Sequence, residues 1–461
     1  MIITIGVIRS QLSEYIDGLD EALSCFYEGY FFSPRYKQGA WDGKIHFLAI
    51  PYLTFPTGLL FMVEEFFKGK NIEYKIVDQR IMPYVNDIPV DRINILRGII
   101  LRDYQLEAID RALKTKTGVL GLPTGSGKTE IAAALIKLVG VKTLFLVHTQ
   151  DLLRQTIKRF KERIGFEIGC IGDGEFDIED KNVIVATVQS IHRWLDTEPD
   201  KSRKFLDSFQ MLFQDECHHS SARIWERIGM LCKNAYFRFG LSGTILRRDV
   251  LSNLKMLALF GAPIYRLPTM GLIEQGYLSD IDVRIIEMEI GTPAFSLSWS
   301  EVYQRDIVYN EGRNKKIADI AEEHFREGKR VMILIRKIQH GSVLQELLYR
   351  RNVPVRFLHG QVDSEKREIT KMEFNEDLDS RFVLIASTIF NEGVDIPEVN
   401  VIIIADGEKS EVQTIQRVGR GLRLKSSKDK LILYDFEDHG KFLGSHAKKR
   451  IKTYKKEGFL K

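Results

Sequence analysis

The 461-residue chain has only four cysteines, Cys25, Cys170, Cys217 and Cys232, and none of them share the short spacing of a disulfide framework or a zinc site. Thiols this sparse exclude a small disulfide-stapled fold and point to a reducing compartment, with burial as their default state. No apolar run reaches membrane length, so no spanning helix is expected. Residues 1–7 read as a β-strand without a basic flank or a long apolar region, which argues against a leader segment. A soluble cytoplasmic protein is the expectation. Excess charge is also scarce: 67 Lys and Arg stand against 63 Asp and Glu, a net charge of +4. Any surface for a polyanion must therefore be local. Repeats and low-complexity segments are absent. The chain is too long for one core and suits about three domains.

What is present is concentrated in a few segments. Gly121-Leu122-Pro123-Thr124-Gly125-Ser126-Gly127-Lys128-Thr129-Glu130 is a Gly-rich turn opening a helix. Gly125 and Gly127 let successive backbone N–H groups point inward, with Thr124 and Ser126 in the same turn. Lys128 brings a point charge to the β and γ phosphates, and the Thr129 hydroxyl suits magnesium. Gly118–Leu122 reads as the buried strand before it. Ile131, Leu135 and Leu138 recur at helical spacing after it, and Gly140 can stop that helix. Leu122 departs from the strict pattern, which has glycine there. Downstream, the apolar run Phe209–Phe213 ends in Gln214-Asp215-Glu216-Cys217-His218. That acidic pair sits where a phosphate-bound magnesium and an attacking water need carboxylates. Together the two elements predict a nucleotide hydrolase using ATP and Mg2+.

The form PTGSGKT followed by DECH resembles superfamily 2 helicases and translocases. Thr-Ile-Gln416-Arg417-Val-Gly419-Arg420-Gly-Leu-Arg423 is similar to the sixth motif of that family. On a helix, Gln416, Arg420 and Arg423 share one face, and arginines so placed can stabilise the transferring phosphoryl group. The resemblance implies further roles. Leu101–Gln105 looks like the adenine-reading motif, with Gln105 on the base edge and Arg102 on its face. Leu241-Ser242-Gly243-Thr244 resembles motif III, and Ala386–Thr388 with Asn391–Pro397 resembles motif V, which contributes Thr388, Gly393 and Asp395. His148-Thr149-Gln150 and Thr187-Val188-Gln189-Ser190 resemble motifs Ia and Ib. They place Thr149, Thr187 and Gln189 on nucleic acid.

The expected fold class is α/β: two RecA-like parallel-sheet lobes, with ATP between them, and a small N-terminal α+β domain. The expected domains are 1–92, 93–277 with strands near 117–121, 143–147, 182–186, 209–214 and 236–241, and 278–461 with strands near 330–335, 355–358, 382–386, 399–404 and 430–435. The link is placed near 276–284. In the first domain, Ser10–Glu28 reads as an amphipathic helix ended by Gly29, and Phe61–Lys68 as a second helix.

The run Gly29–Lys44 interleaves Tyr30, Phe31, Phe32, Tyr36 and Trp41 with Arg35, Lys37 and Lys44. Its residues fit either a grip on phosphates and bases or a small core with a turn at Asp42-Gly43. Followed by the motor motifs, the run resembles the N-terminal domain of the UvsW-type branch-migration helicases of T-even phages, with a RecG- and XPB-like motor. That resemblance implies an ATP-dependent helicase acting on branched or forked DNA in recombination, repair or replication, in the host cytoplasm if a phage encodes it, with Arg35, Lys37 and Trp41 touching DNA. A monomer is expected, with other recombination or replication proteins as possible partners. The C-terminal stretch 441–461 reads as a helix whose Lys448, Lys452 and Lys455 form either a solvated face or a phosphate track. Three rivals remain: an RNA helicase of the DExH type, a restriction-type translocase subunit, and a clamp that binds ATP without hydrolysis.

Overall fold

Short apolar runs bounded by turn residues become parallel strands when helices cover both sheet faces. The computed structural model describes every residue except 88, 90, 220–222, 244–248, 289–296, 377–380, 388–398, 410–429, 441 and 461. Thr388, Gly393, Asp395, Gln416, Arg420 and Arg423 lie outside the described residues, as does Thr244. The chain forms two units: residues 1–122 with 127–266, and residues 267–461 with 123–126.

In the first unit, β1 (Ile2–Ile5), β2 (Arg9–Leu12), β5 (Thr54–Pro56) and β6 (Lys75–Asp78) form a sheet ordered β5-β2-β1-β6, while β3 (Ser24–Phe26) and β4 (Lys44–His46) form a separate antiparallel pair. The larger sheet holds β7 (Thr117–Gly121), β8 (Thr143–Val147), β9 (Ile168–Gly172), β10 (Glu175–Asp177), β11 (Val183–Thr187), β12 (Met211–Gln214), β13 (Phe237–Ser242) and β14 (Pro263–Arg266), ordered β10-β9-β11-β8-β12-β13-β7-β14. All its pairings are parallel except β9 with β10. Every residue of β8 and β11 is buried, as strands covered on both faces require.

The second unit has its own six-stranded parallel sheet of β15 (Asp280–Glu287), β16 (Val331–Leu334), β17 (Val355–Leu358), β18 (Val383–Ala386), β19 (Val401–Ile404) and β20 (Lys430–Glu437), ordered β15-β20-β19-β16-β18-β17. These are two RecA-like parallel-sheet lobes with a small N-terminal α+β element. The stretch 280–284, read as linker, is the start of β15, paired with β20 over its full length.

The long N-terminal helix expected over Ser10–Glu28 does not form. Residues 9–12 alternate exposed and buried, the period of a strand, and β2 is hydrogen-bonded between β1 and β5. The chain then turns at Gly18, whose φ of +81° is left-handed, into the short helix Leu19–Ala22. Leu12, Leu19 and Leu23 are buried, but Tyr15 and Phe26 face solvent. Pairing with two neighbouring strands outweighs a helical spacing of apolar residues. The second helix is present as Leu60–Gly69.

Among the described residues, the N-terminal element has no separate core. Ile3, Ile5, Phe55, Leu59, Val63 and Phe67 join one hydrophobic cluster with Val119, Leu144, Leu254, Leu257 and Leu259 of the large sheet and its helices. Gly58 makes the closest approach: a Cβ there would lie 2.2 Å from the Leu257 carbonyl oxygen and 2.6 Å from that of Ala258. Only glycine lets the two backbones touch.

In the second lobe, the C-terminal helix Leu443–Lys456 buries Leu443, Ala447, Thr453 and Tyr454, and also a charge, Arg450. The Arg450 guanidinium donates to both oxygens of buried Asp435 at 2.8 and 2.9 Å and to the carbonyls of Glu408 and Phe436. Tyr454 donates to the same carboxylate at 2.8 Å. Burial works against this cation, yet Asp435 more than offsets it and raises its pKa further. Removing one partner strands a buried charge. Arg450→Met should therefore cost the second lobe about 3–5 kcal/mol, read as a lowered midpoint in denaturant unfolding, whereas Lys452→Met on the exposed face should change it little.

Candidate ATP site and nucleic-acid surface

The carboxyl ends of β7, β8, β11, β12 and β13 lie along one edge of the sheet, where open α/β folds bind ligands. Thr117–Gly121 is the strand before the Gly-rich turn, and Leu122 continues it, fully buried, with its N–H donating to the Ser242 carbonyl at 2.9 Å. This explains the departure from glycine: the position fills core volume. Gly125 and Gly127 have φ of +85° and +80°, the left-handed region that frees the turn's N–H groups, and the helix Lys128–Val139 starts at Gly127 and ends at Gly140. Ser126 is buried, its hydroxyl donating to the Pro123 carbonyl at 2.8 Å, and Thr124 and Thr129 are partly exposed.

Lys128 donates to the Leu122 carbonyl at 3.2 Å and lies 3.7 Å from Glu216. Glu216 is the acidic residue just beyond β12 and has a left-handed φ of +48°, uncommon for a residue with a side chain. The strain is supported by its surroundings. Asp215 accepts the Glu216 N–H at 3.0 Å, and its own N–H donates to Leu146 at the end of β8. His218 Nδ1 lies 3.2 Å from Glu216 Oε2 and 3.0 Å from the Ser242 hydroxyl. Lys128, Glu216, His218 and Ser242 thus form a continuous polar chain from the phosphate turn to motif III.

Two carboxylates this close cannot both be at ease. Burial and the charge of Glu216 raise Asp215 well above the usual carboxylate range. Burial pushes Glu216 the same way, but Lys128 and His218 outweigh it and hold Glu216 well below that range. Glu216 is therefore the more acidic member of the pair. Its carboxylate, buried beside Lys128 and His218, is placed to accept a proton from a water.

Gln105 is buried and turned to the phosphate turn. Its Oε1 accepts the Arg102 N–H at 3.0 Å, closing a capping box, and a Cβ on Gly127 would lie 2.3 Å from its Nε2. Arg102 donates to the Tyr104 hydroxyl at 3.1 Å. For a divalent cation, the chemistry fits a site held mainly by phosphate and water, with Asp215 and Thr129 as the protein oxygens. No group of three or more His, Cys, Asp or Glu able to hold a metal occurs among the described residues.

The expected nucleic-acid residues fall into two sets. Thr149 and Thr187 are helix N-caps, their hydroxyls accepting from Leu152 and Ser190, and Thr187 is buried. Exposed Gln189 ties the two loops together by donating to the His148 carbonyl at 3.1 Å. Lys448 and Lys452 are exposed on the C-terminal helix, and Arg35 and Lys37 on the short helix Pro34–Lys37. Trp41 is half-buried, with its indole N–H donating to the Lys44 carbonyl at 2.8 Å. The sequence reading missed Glu130, paired with Arg159 at 2.8 Å, and buried Arg238, which donates to the carbonyls of Gly229, Cys232 and Leu259. Glu130 follows the Lys-Thr pair directly and was open to suspicion; Arg238 carries no pattern.

Three family patterns match the chain: DNA helicase UvsW, N-terminal, over residues 11–78; type III restriction enzyme, res subunit, over 98–247; and helicase conserved C-terminal domain over 313–425. With two RecA-like lobes and this phosphate turn, the chain is a superfamily 2 helicase motor, an ATPase. Within that class it resembles the UvsW type. It is 26% identical to the ATP-dependent DNA helicase uvsW of Enterobacteria phage T4, across 94% of this chain and 92% of the relative. The DNA 3'-5' translocase XPB2 of Sulfurisphaera tokodaii is 27% identical, over 80% of this chain and 87% of its own. The fold alone is shared with a fragment of a putative HsdR subunit from Vibrio vulnificus YJ016, at 21% identity and a TM-score of 0.58 over 78% of this chain and 67% of that one. It is also shared with S. cerevisiae Dbp5, at 16% identity and 0.57 over 79% and 90%. Among the described residues, no helix is long and apolar enough to cross a membrane.

Glu216→Gln should bind ATP with nearly unchanged affinity and hydrolyse it at least 100-fold more slowly, measured by nucleotide binding and single-turnover hydrolysis; near-normal turnover would remove the assignment of Glu216 as base. A second prediction concerns the β3–β4 pair, where His46 lies 2.7 Å from Asp20 and 2.8 Å from Asp42. Burial lowers its pKa, but the two carboxylates outweigh burial and raise it overall. A raised folded value favours the imidazolium, so this stabilisation is complete below the ordinary histidine value near 6.5 and is lost as the pH rises through the folded value. An NMR titration of His46 should give a midpoint above 6.5 that falls in Asp42→Asn.

Proposed function

We propose that this motor remodels branched or forked DNA, moving the branch point by ATP-driven translocation. In this reading, Lys128, Thr124, Gly125, Ser126 and Gly127 hold the phosphates. Thr129 and Asp215 hold Mg2+, which would supply charge neutralisation at the β and γ phosphates. Glu216 takes a proton from the attacking water, and Gln105 and Arg102 address the adenine. Gln416, Arg420 and Arg423 supply positive charge to the γ-phosphate, and Gly393 and Asp395 complete the nucleotide site. Thr149, Thr187, Gln189 and Thr388 mark the track of the translocated strand. Arg35 and Lys37 serve duplex arms, and Lys448 and Lys452 give a second basic surface.

The observation that carries the proposal is the continuous core joining the N-terminal element to the ATP-binding lobe. A DNA-reading surface fixed to that lobe is carried with every step of the motor. Its match to the N-terminal pattern of a DNA helicase, and relatives described as a DNA helicase and a DNA translocase, support DNA over RNA. Branched DNA also suits the energetics, since branch migration breaks one base pair for each it makes, whereas plain unwinding loses about 1.4 kcal/mol of stacking per step. A monomer suffices for this scheme.

ATPase rates should rise most with forks and four-way junctions, less with single strands or blunt duplex, and least with RNA. Equal stimulation by RNA would favour the RNA-helicase rival. Deleting residues 1–90 would strip a shared core, so point changes are the cleaner test. Arg35→Ala with Lys37→Ala should flatten the slope of log affinity against log salt for forks by about 0.9 per lost phosphate contact, measured by anisotropy, without altering ATPase activity in the absence of DNA.

A further inference from the structure

The loop between β3 and β4 sorts its aromatic residues into two sets. One set anchors it. The Tyr30 ring stacks on Phe26 at 4.6 Å and meets Tyr36 edge-on at 4.8 Å, while Trp41 leans on Tyr27 at 6.2 Å and is tied to the Lys44 carbonyl. Gly43 has φ of +84°, and a Cβ there would lie 2.6 Å from the Tyr30 ring, so the loop closes only with glycine at that position. Backbone bonds brace it: Tyr27 N–H to Gly43 at 2.8 Å, Phe32 to Gly29 at 2.9 Å, and Ala40 to Arg35 at 2.9 Å.

In the other set, Phe31 meets the Tyr30 ring edge-on at 5.6 Å, and Phe32 stands at the outer end of the same row of rings. Phe31 and Phe32 are 52% and 72% exposed, with ring centroids 4.3 Å apart at 46°, and neither belongs to the described hydrophobic clusters. The cations that follow differ in availability. Lys44 is paired with Glu21 and lies over the Phe26 ring at 5.0 Å. Arg35 and Lys37 are exposed, and no ion pair to either occurs among the described residues.

We propose that Phe31 and Phe32 form a stacking platform for unpaired nucleobases at the branch point, with Arg35 and Lys37 taking the adjoining phosphates. This rests on the branched-DNA reading above and assigns its base contact. It places the contact on the two phenylalanines and makes Trp41 an anchor. Two exposed rings held by a braced loop offer π-faces at little ordering cost, and neighbouring cations suit a polyanion better than an apolar protein surface.

The test uses the full chain and three DNAs: a fork with a single-stranded arm and 2-aminopurine at its first unpaired position, a fully paired four-way junction, and a blunt duplex. Phe31→Ala with Phe32→Ala should weaken fork binding roughly five- to hundred-fold. It should leave the salt slope, blunt-duplex affinity and DNA-free ATPase unchanged, and abolish the 2-aminopurine fluorescence change seen with wild type. Loss on the fork alone assigns the base to the single-stranded arm, and loss on the four-way junction as well assigns it to an opened pair. Phe31→Leu with Phe32→Leu keeps apolar surface without rings and should behave as the alanine variant does. The proposal is overturned if the alanine variant binds forks as wild type does, if the leucine variant restores binding, or if the loss is equal on blunt duplex. A wild type without preference for forks overturns the branched-DNA reading itself, a result visible before any variant is made.

Discussion

The ATP site depends on one electrostatic constraint: two consecutive carboxylates, Asp215 and Glu216, close β12 where little solvent reaches them. Lys128 from the phosphate turn and His218 from the following turn keep Glu216 ionised, and the raised affinity of Asp215 for protons is the counterpart. The left-handed backbone at Glu216 is what brings its carboxylate within 3.7 Å of Lys128. Strain of this kind persists only where neighbours over-determine it. Here the Asp215 cap and the β8 carbonyl do so. His218 also reaches Ser242 at 3.0 Å, which links the acidic pair to the end of β13.

Buried arginines solve a related problem in two ways. Arg238, in β13, has no carboxylate partner among the described residues; burial pushes its pKa down to about 10, and three backbone carbonyls near the ends of the helices Arg223–Leu231 and Val250–Phe260 receive it. Those helix ends carry partial negative charge. Arg450 instead has Asp435, which raises its pKa. The first arrangement ties β13, which ends at Ser242, to the helix against which Gly58 is pressed. The N-terminal element, that helix and the motif III strand therefore belong to one packed body.

Much of this was legible beforehand. The phosphate turn, the acidic pair and ten central strands follow from short-range chemistry, because a phosphate cradle needs glycines beside a lysine and a buried parallel strand needs an unbroken apolar run. The N-terminal helix was misread for a physical reason. Leu12, Leu19, Leu23 and Phe26 fit a helical period, but the hydrogen bonds that divide them come from β1 and β5, distant in sequence. Strands β9, β10, β14 and β15 escaped because glycines in Ile168–Gly172, charges in Glu175–Asp177 and Asp280–Glu287, and the proline opening β14 dilute the pattern of a strand.

The sequence by itself determined the reaction, since Lys128, Asp215, Glu216 and the glycines around them have their chemistry wherever the chain sets them at that spacing. It also determined that two α/β lobes would follow. Only the tertiary structure decided which of two adjacent carboxylates is the more acidic, because that depends on which one Lys128 and His218 approach. It alone decided that the N-terminal element shares the motor's core. And it set Phe31 and Phe32 at the outer end of the aromatic run, since spacing along Tyr30–Trp41 is blind to which rings meet across the β3–β4 loop.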